Sequence, residues 1–220
     1  MPSRPTLAAI LPFGAWIALM TFLPATAGAY AVRSAVAAAA LAWVCCVLRP
    51  SWRVSPRALF WGLAAGAFVA AFWIFPESWG WYRKWLLWPF GAEPPPAADA
   101  PSPYDPAVCG WPLTIAKLVG SAFVIAPVEE LFFRSFLYRR LQSRDWLAVP
   151  LSRFDVSAFV WTAGLFSLEH PPRFVVAAAC GVVYGAVAVR FGLGAAIVAH
   201  VVTNLLLALH VIHHGAWAFW

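Results

Sequence analysis

The chain has 220 residues, of which 63% are hydrophobic and 11% are charged, and its formal net charge is +6. Soluble domains carry roughly 25% charged residues, so a soluble fold of this length could not hide so much apolar surface. The composition therefore indicates a membrane protein. It argues against nucleic acid as a partner, because the basic residues lie singly or in short groups between apolar runs, as loop anchors do.

Seven apolar stretches are candidates for membrane spans, because a bilayer core about 30 Å thick needs ~20 apolar residues per helix. They cover residues 7–31, 34–48, 58–75, 113–138, 156–168, 174–190 and 193–212. The sequence therefore predicts an all-α polytopic transmembrane bundle of about seven to eight helices, with residues 1–220 in one integral-membrane domain. The first stretch is long for a cleaved signal peptide, so we expect a retained span.

Residues 77–110 form the long connection between apolar stretches. It opens with WGWYRKWLLWPF, whose aromatic and basic side chains suit the headgroup boundary. It continues into the Pro-rich AEPPPAADAPSPYDP, which is not expected to be regular. We therefore expect an interfacial segment followed by irregular chain.

Arginine and lysine residues between the stretches set the expected orientation, because cytoplasmic loops carry an excess of them. Nine lie on the side of the N-terminus and four on the other side. The nine are Arg4, Arg49, Arg53, Arg57, Arg139, Arg140, Arg144, Arg153 and Arg190, and the four are Arg33, Arg83, Lys84 and Arg173. The N-terminus is thus predicted to be cytoplasmic. The later part of this count fails if residues 156–168 do not span.

Two adjacent carboxylates stand within the fourth apolar stretch, where charge is costly. Glu130 and Arg134 are four residues apart, so they share a helix face and can form an ion pair. Glu129 points about 100° away from Glu130 and has no basic partner on its own helix. It must find a partner on another segment or take up a proton, because burial disfavours the charged form.

Three further polar groups come from two later segments. His170 stands immediately before Pro171, where a helix would end and leave it at a mobile tip. His200 and Asn204 are four residues apart, one above the other on a helix face. Each alone is explained by a packing hydrogen bond. Together with Glu129 they supply a base, a second proton carrier and oxyanion donors, which are the groups a hydrolase needs.

The remaining polar residues are less informative. Lys117 is expected to snorkel towards the outer surface. Glu169 could cap a helix, pair with Arg173 or help in the site, and the sequence does not separate these alternatives. An interfacial cluster is expected from His210, His213 and His214. The four cysteines are interpreted as small apolar residues, since no C-x-x-C pair occurs.

Three motifs occur in order within residues 113–220. EELFFR fits E-E-x-x-x-R, FSLEH fits F-x-x-x-H, and HVVTN fits H-x-x-x-N. Together they resemble the CAAX-protease and bacteriocin-processing family of intramembrane proteases, and residues 113–220 would be the protease-like core. The longer strings PVEELFFRSFLYRRL and AHVVTNLLLALHV look most like the branch associated with exosortase systems in bacteria.

The resemblance implies a catalytic set of Glu129, His170, His200 and Asn204. Glu129 and His170 would activate a water molecule, and the third motif would stabilise the oxyanion. The structural companions in the first motif would be Glu130 and Arg134. No cofactor is favoured. The alternative is Zn²⁺ held by Glu129, His170 and His200, although the H-E-x-x-H pair of zinc proteases is absent.

We therefore predict an intramembrane endopeptidase that hydrolyses a peptide bond near the membrane end of a protein substrate, expected in the bacterial inner (cytoplasmic) membrane. Its partners would be the lipid bilayer and a membrane-associated protein or peptide substrate, with no nucleic acid. The alternatives are a proton-coupled membrane carrier and a catalytically inactive partner of a protein-sorting system. Carriers usually show paired halves, and the sequence has no such symmetry.

Overall fold

The computed structural model of the chain describes residues 3–50, 52–87, 102–171 and 173–220. The described residues form helices and no strand, which confirms the predicted all-α class. The main helices are α1 (Arg4–Phe22), α2 (Ala27–Leu48), α3 (Pro56–Ile74), α4 (Trp111–Gln142), α5 (Val156–Ser167), α6 (Phe174–Phe191) and α7 (Leu193–His214). Short helical turns lie at Phe75–Ser78, Gly80–Tyr82, Arg83–Leu87, Pro106–Cys109, Trp146–Ala148 and Trp217–Phe219.

In the described part of the chain, six of the main helices are long and apolar enough to cross a membrane, and the exception is α5. This confirms a polytopic membrane bundle. Helix α5 has 12 residues, which give about 18 Å at the helical rise and fall short of a bilayer core of about 30 Å. Residues 156–168 therefore form a helix that is too short to be the seventh span expected from the sequence.

The first two predicted spans are divided at the wrong place. Helix α1 ends at Phe22, and α2 begins at Ala27 and runs without interruption to Leu48. The Thr26 side chain accepts a hydrogen bond from the Ala29 amide and caps α2. Pro24 and the capping Thr26 are local signals for a helix boundary. They end one helix and begin the next although the hydropathy is continuous there. The predicted span over 7–31 is therefore two helices, and the predicted break before Ser34 lies inside α2.

Helix α4 departs from regular α-helical geometry on both sides of its two glutamates. The stretches Gly120–Ile125 and Leu131–Leu137 are π-helical, and Ala126–Glu130 between them is α-helical. Pro127 donates no backbone hydrogen bond, and its ring clashes with the carbonyl four residues earlier in an ordinary helix. The wide turn before Pro127 accommodates this clash, and such turns are frequent at functional sites.

Helices α3 and α7 approach closely through glycines. A Cβ atom at Gly66 would lie 2.5 Å from the Ala199 carbonyl oxygen and 2.7 Å from Val202 Cβ. The Thr203 hydroxyl donates to the Gly66 carbonyl oxygen over 3.0 Å. Because His200 follows Ala199 directly, this contact also fixes the height of His200 in the bundle.

Glu77 ties the chain after α3 to the chain before α6. Its carboxylate accepts a 2.6 Å hydrogen bond from Arg173 Nε and lies 3.7 Å from Arg83 Nη1. Arg173 Nη2 also donates to the Ala218 carbonyl oxygen. The loop that carries the FSLEH motif is therefore held from two sides. The rest of the predicted connection, residues 88–101, lies outside the described residues.

We expect Gly66→Ala to lower the free energy of unfolding by about 1–3 kcal/mol, because the added methyl group overpacks the α3–α7 contact. The matched control is Gly164→Ala in α5, where a Cβ atom meets nothing within 4 Å. Thermal unfolding of both variants in detergent checks this prediction. Equal melting temperatures for the two variants would show that α3 and α7 do not pack as described.

Candidate active site

The three sequence motifs meet around one cavity inside the bundle. It has a volume of about 460 Å³ and is lined by side chains from all seven main helices and from the loop after α5. The lining includes Glu129, His170, His200 and Asn204. The residues singled out from the sequence are thus brought together, although the first and last are 75 positions apart (204 − 129).

Glu130 and Arg134 form the buried ion pair expected from their spacing. Arg134 Nη1 lies 3.2 Å from Glu130 Oε1, and the two side chains are 2% and 0% exposed. Arg134 Nη2 also donates to the Gly181 carbonyl oxygen over 3.3 Å, and its guanidinium lies 4.5 Å from the centre of the Phe166 ring. Helices α4, α5 and α6 therefore meet at this one cation.

Glu130 also fixes the orientation of His200. The His200 Nδ1–H donates to Glu130 Oε1 over 3.0 Å. The Tyr184 ring stacks on the imidazole at 4.6 Å and 20°. A carboxylate on one ring nitrogen sets which nitrogen carries the proton. Because Nδ1 is occupied, Nε2 is the nitrogen of His200 that is available to a ligand.

Glu129 faces His200 from α4. Its Oε2 lies 3.8 Å from His200 Nε2 and has no hydrogen-bond partner among the described residues. A water molecule at about 2.8 Å from both atoms fits this separation, which is less than twice a hydrogen-bond length. The basic group that faces Glu129 is therefore on α7, within ion-pair distance but without a direct hydrogen bond.

His170 lies at the end of α5, as its position before Pro171 predicts. Its Nδ1–H donates to the Phe166 carbonyl oxygen over 3.1 Å, and its ring contacts the Trp73 ring edge to face. Removal from water is the main cause that lowers the pKa of the His170 imidazole. The ring is then neutral at pH 7 and keeps Nε2 as a hydrogen-bond acceptor.

Two expectations for charged residues are now decided. Glu169 lines the cavity, and Arg173 pairs with Glu77, so the alternative of an Arg173–Glu169 pair is wrong. Burial, with the nearby Glu129 carboxylate, raises the pKa of Glu169.

Lys117 does not extend to the surface, because its ammonium group is covered by aromatic rings and lines the same cavity.

Asn204 is anchored to the first π-helical stretch of α4. Its Nδ2 donates to the Ser121 carbonyl oxygen over 3.0 Å. The Ala126 amide donates to the same carbonyl oxygen across the wide turn. An amide nitrogen carries two hydrogens, so one hydrogen of Asn204 is left for a ligand.

Spacing assigned no role to Tyr184, to Phe166 beyond its place in F-x-x-x-H, or to Arg33. The first two orient His200 and Arg134 by ring contacts, and spacing between aromatic residues does not reveal such contacts. Arg33 was counted as a loop residue, yet it lies inside α2, is 6% exposed and lines the cavity. The predicted boundary between the first two spans lies after residue 31, whereas α2 begins at Ala27. Arg33 was therefore placed in a loop and not inside a helix.

The alternative zinc set is Glu129, His170 and His200. Among the residues that the structure describes, no three His, Cys, Asp or Glu side chains are arranged to hold a metal ion. His200 and His170 each donate from Nδ1 to a protein acceptor, and this leaves both Nε2 atoms for a ligand, as in histidines that bind a metal. Zinc therefore stays an alternative to the metal-free site.

Residues 111–206 match a protein-family model described as type II CAAX prenyl endopeptidase Rce1-like. The matched region is a little under half of the chain and includes all three motifs. The match agrees with the family resemblance found from the motifs. Neither the curated proteins nor the solved structures include a match to the chain.

We expect Arg134→Met to lower the free energy of unfolding by about 3–5 kcal/mol, because it leaves the fully buried Glu130 without its cation. Arg140→Met is the matched control, since Arg140 is exposed on the same helix. The double variant Glu130→Gln, Arg134→Met should regain part of the loss. The prediction is checked by thermal unfolding in detergent, and a double variant no better than Arg134→Met would contradict it.

Proposed function

We propose that the protein is an intramembrane endopeptidase that cuts near the membrane end of a protein substrate, since residues 111–206 match the model of the Rce1-like CAAX prenyl endopeptidases. The observation that carries the proposal is the pair formed by Glu129 Oε2 and His200 Nε2. The two atoms face each other across 3.8 Å at a cavity inside a membrane bundle. This geometry suits one activated water molecule.

In the proposed reaction, Glu129 accepts a proton from water while the oxygen attacks the scissile carbonyl carbon. His170 accepts a second hydrogen bond from the water through its free Nε2 and orients it. The hydrated tetrahedral intermediate then collapses, and Glu129 returns the proton to the leaving amine. No Ser or Cys nucleophile with a neighbouring base is found in the described cavity wall, so no covalent intermediate is invoked.

His200 and Asn204 are the proposed oxyanion donors. His200 donates to Glu130 from Nδ1, and it would donate to the oxyanion from Nε2 when that nitrogen also carries a proton. Asn204 donates the hydrogen that Ser121 leaves free. Both donors are fixed before substrate arrives, so they need no reorganisation when charge develops, and this is what makes such donors effective.

We propose the metal-free version because each of the four side chains has a role in it, whereas Asn204 would be a poor zinc ligand. Zinc remains the competing version of the same activity. We also propose, from the sequence resemblance to the exosortase-associated branch alone, that the substrates belong to protein sorting at a bacterial envelope. The set of genes beside this one in its genome is the direct test of that context.

We expect Glu129→Gln to reduce cleavage by about 10²–10⁴-fold, as loss of a general base does. Purified protein in phosphatidylcholine vesicles is incubated with synthetic tail peptides that carry an apolar anchor, with or without a prenylated cysteine. New termini are read by mass spectrometry. Asp145→Asn, which changes an exposed carboxylate, should cleave like the wild type. Undiminished cleavage by Glu129→Gln would end this assignment, and proton flux without cleavage would favour a carrier.

Removal of metal by a chelator distinguishes the metal-free mechanism from the zinc-dependent one. We expect cleavage to persist after treatment with 1,10-phenanthroline and dialysis, because the proposed steps use only side-chain groups. Asn204→Ala should slow cleavage by roughly 10²–10³-fold through loss of an oxyanion donor. Activity that is lost on chelation and restored by zinc would replace the metal-free version and leave the protease assignment intact.

A further inference from the structure

Two cations lie in the wall of the same cavity without an acidic partner. Among the described residues, neither Arg33 nor Lys117 has a carboxylate within ion-pair distance. Arg33 is 6% exposed, and its Nε has no hydrogen-bond partner. Buried charge inside a membrane bundle is costly and usually marks a functional site. The cations therefore point to an anion that enters the cavity.

Aromatic rings surround these cations and shape the site. Lys117 Nζ lies 4.0 Å from the centre of the Tyr30 ring, 4.8 Å from Tyr104 and 5.8 Å from Trp220. The Arg33 guanidinium lies 5.6 Å from the Tyr30 ring. We call Arg33, Lys117 and the rings of Trp16, Tyr30, Tyr104 and Trp220 the cationic cluster. Its rings hold the cations in place by cation–π attraction, and Arg33 Nε is left without a protein partner.

We propose that the cationic cluster binds the C-terminal carboxylate of the peptide that the protein cuts. A carboxylate is the anion every peptide carries at its end, and the planar Arg33 fork matches its two oxygens. This inference rests on the proposed function, because it assigns the cluster to the substrate of the same cavity. It adds Arg33, a residue outside the family match, to substrate recognition.

The distance along α4 sets the length of peptide that fits. Lys117 and Glu129 are twelve residues apart in one helix, so their Cα atoms are separated by about 18 Å along the axis. An extended chain advances about 3.4 Å per residue. An extended segment that spans this separation between the cut bond and the bound carboxylate is then about five residues long.

The test measures binding rather than turnover. Glu129→Gln protein in phosphatidylcholine nanodiscs is titrated with a fluorescein-labelled apolar hexapeptide, once as the free acid and once as the C-terminal amide. We expect the acid to bind roughly tenfold tighter or more, the worth of a charge-assisted hydrogen bond. Lys117→Met and Arg33→Met, added singly, should weaken acid binding and leave amide binding unchanged, so that the preference is lost.

Lys84→Met is the matched control, since Lys84 also packs on a tryptophan ring but does not line the cavity. It should keep the acid preference, and so should Lys117→Arg, which retains the cation. Each variant is accepted only if its melting temperature stays near that of the parent. If a methionine variant fails to fold, the acid-to-amide comparison on the parent protein still decides the proposal.

Equal binding of acid and amide to the parent would overturn the proposal. So would a preference that survives both methionine variants. Phosphatidylglycerol that co-purifies with the parent and is lost in Lys117→Met, without any acid preference, would assign the cluster to a lipid headgroup instead. Acid preference together with undiminished cleavage by Glu129→Gln would uphold the subsite and refute the proposed chemistry, so the two failures are distinguishable.

Discussion

The structure depends on how one fully buried carboxylate is neutralised. Glu130 is 0% exposed and shares its Oε1 between the Arg134 guanidinium and the His200 imidazole. An uncompensated charge at this depth would cost several kcal/mol, about 3–5 kcal/mol when one partner of a buried pair is removed. The pair therefore forces α4 and α7 into contact at one height. Arg134 extends the constraint to α6 through the Gly181 carbonyl oxygen.

That constraint separates the roles of the two adjacent glutamates. Because Glu130 takes Nδ1 of His200, the other ring nitrogen is turned towards Glu129 and the cavity. The buried ion pair is thus a support that aims the imidazole, and the unpartnered carboxylate beside it is free to meet a ligand. The Tyr184 ring, stacked on His200, keeps the imidazole plane from rotating. Precise orientation by surrounding groups is what a catalytic residue needs.

Hydropathy and spacing predicted the helical class, the buried Glu130–Arg134 pair and the three segments that meet at the cavity. They missed the end of α1, because four residues of turn between two apolar runs barely lower a hydropathy average. They also failed to predict that Lys117 faces the cavity, because its ammonium group packs on rings from other segments. Such contacts depend on tertiary packing, which a single-sequence pattern does not encode.

The wide turns of α4 have a consequence for the shape of the cavity. A π-helical stretch holds more residues per turn than an α-helix, so it shifts the angular phase of everything beyond it. Gly120–Ile125 lies between Lys117 and Glu129. Lys117 and Glu129 can therefore both face the cavity although the α-helical repeat is interrupted between them. In a helix built this way, the part of the cavity wall near Lys117 can change while Glu129 keeps its orientation towards His200.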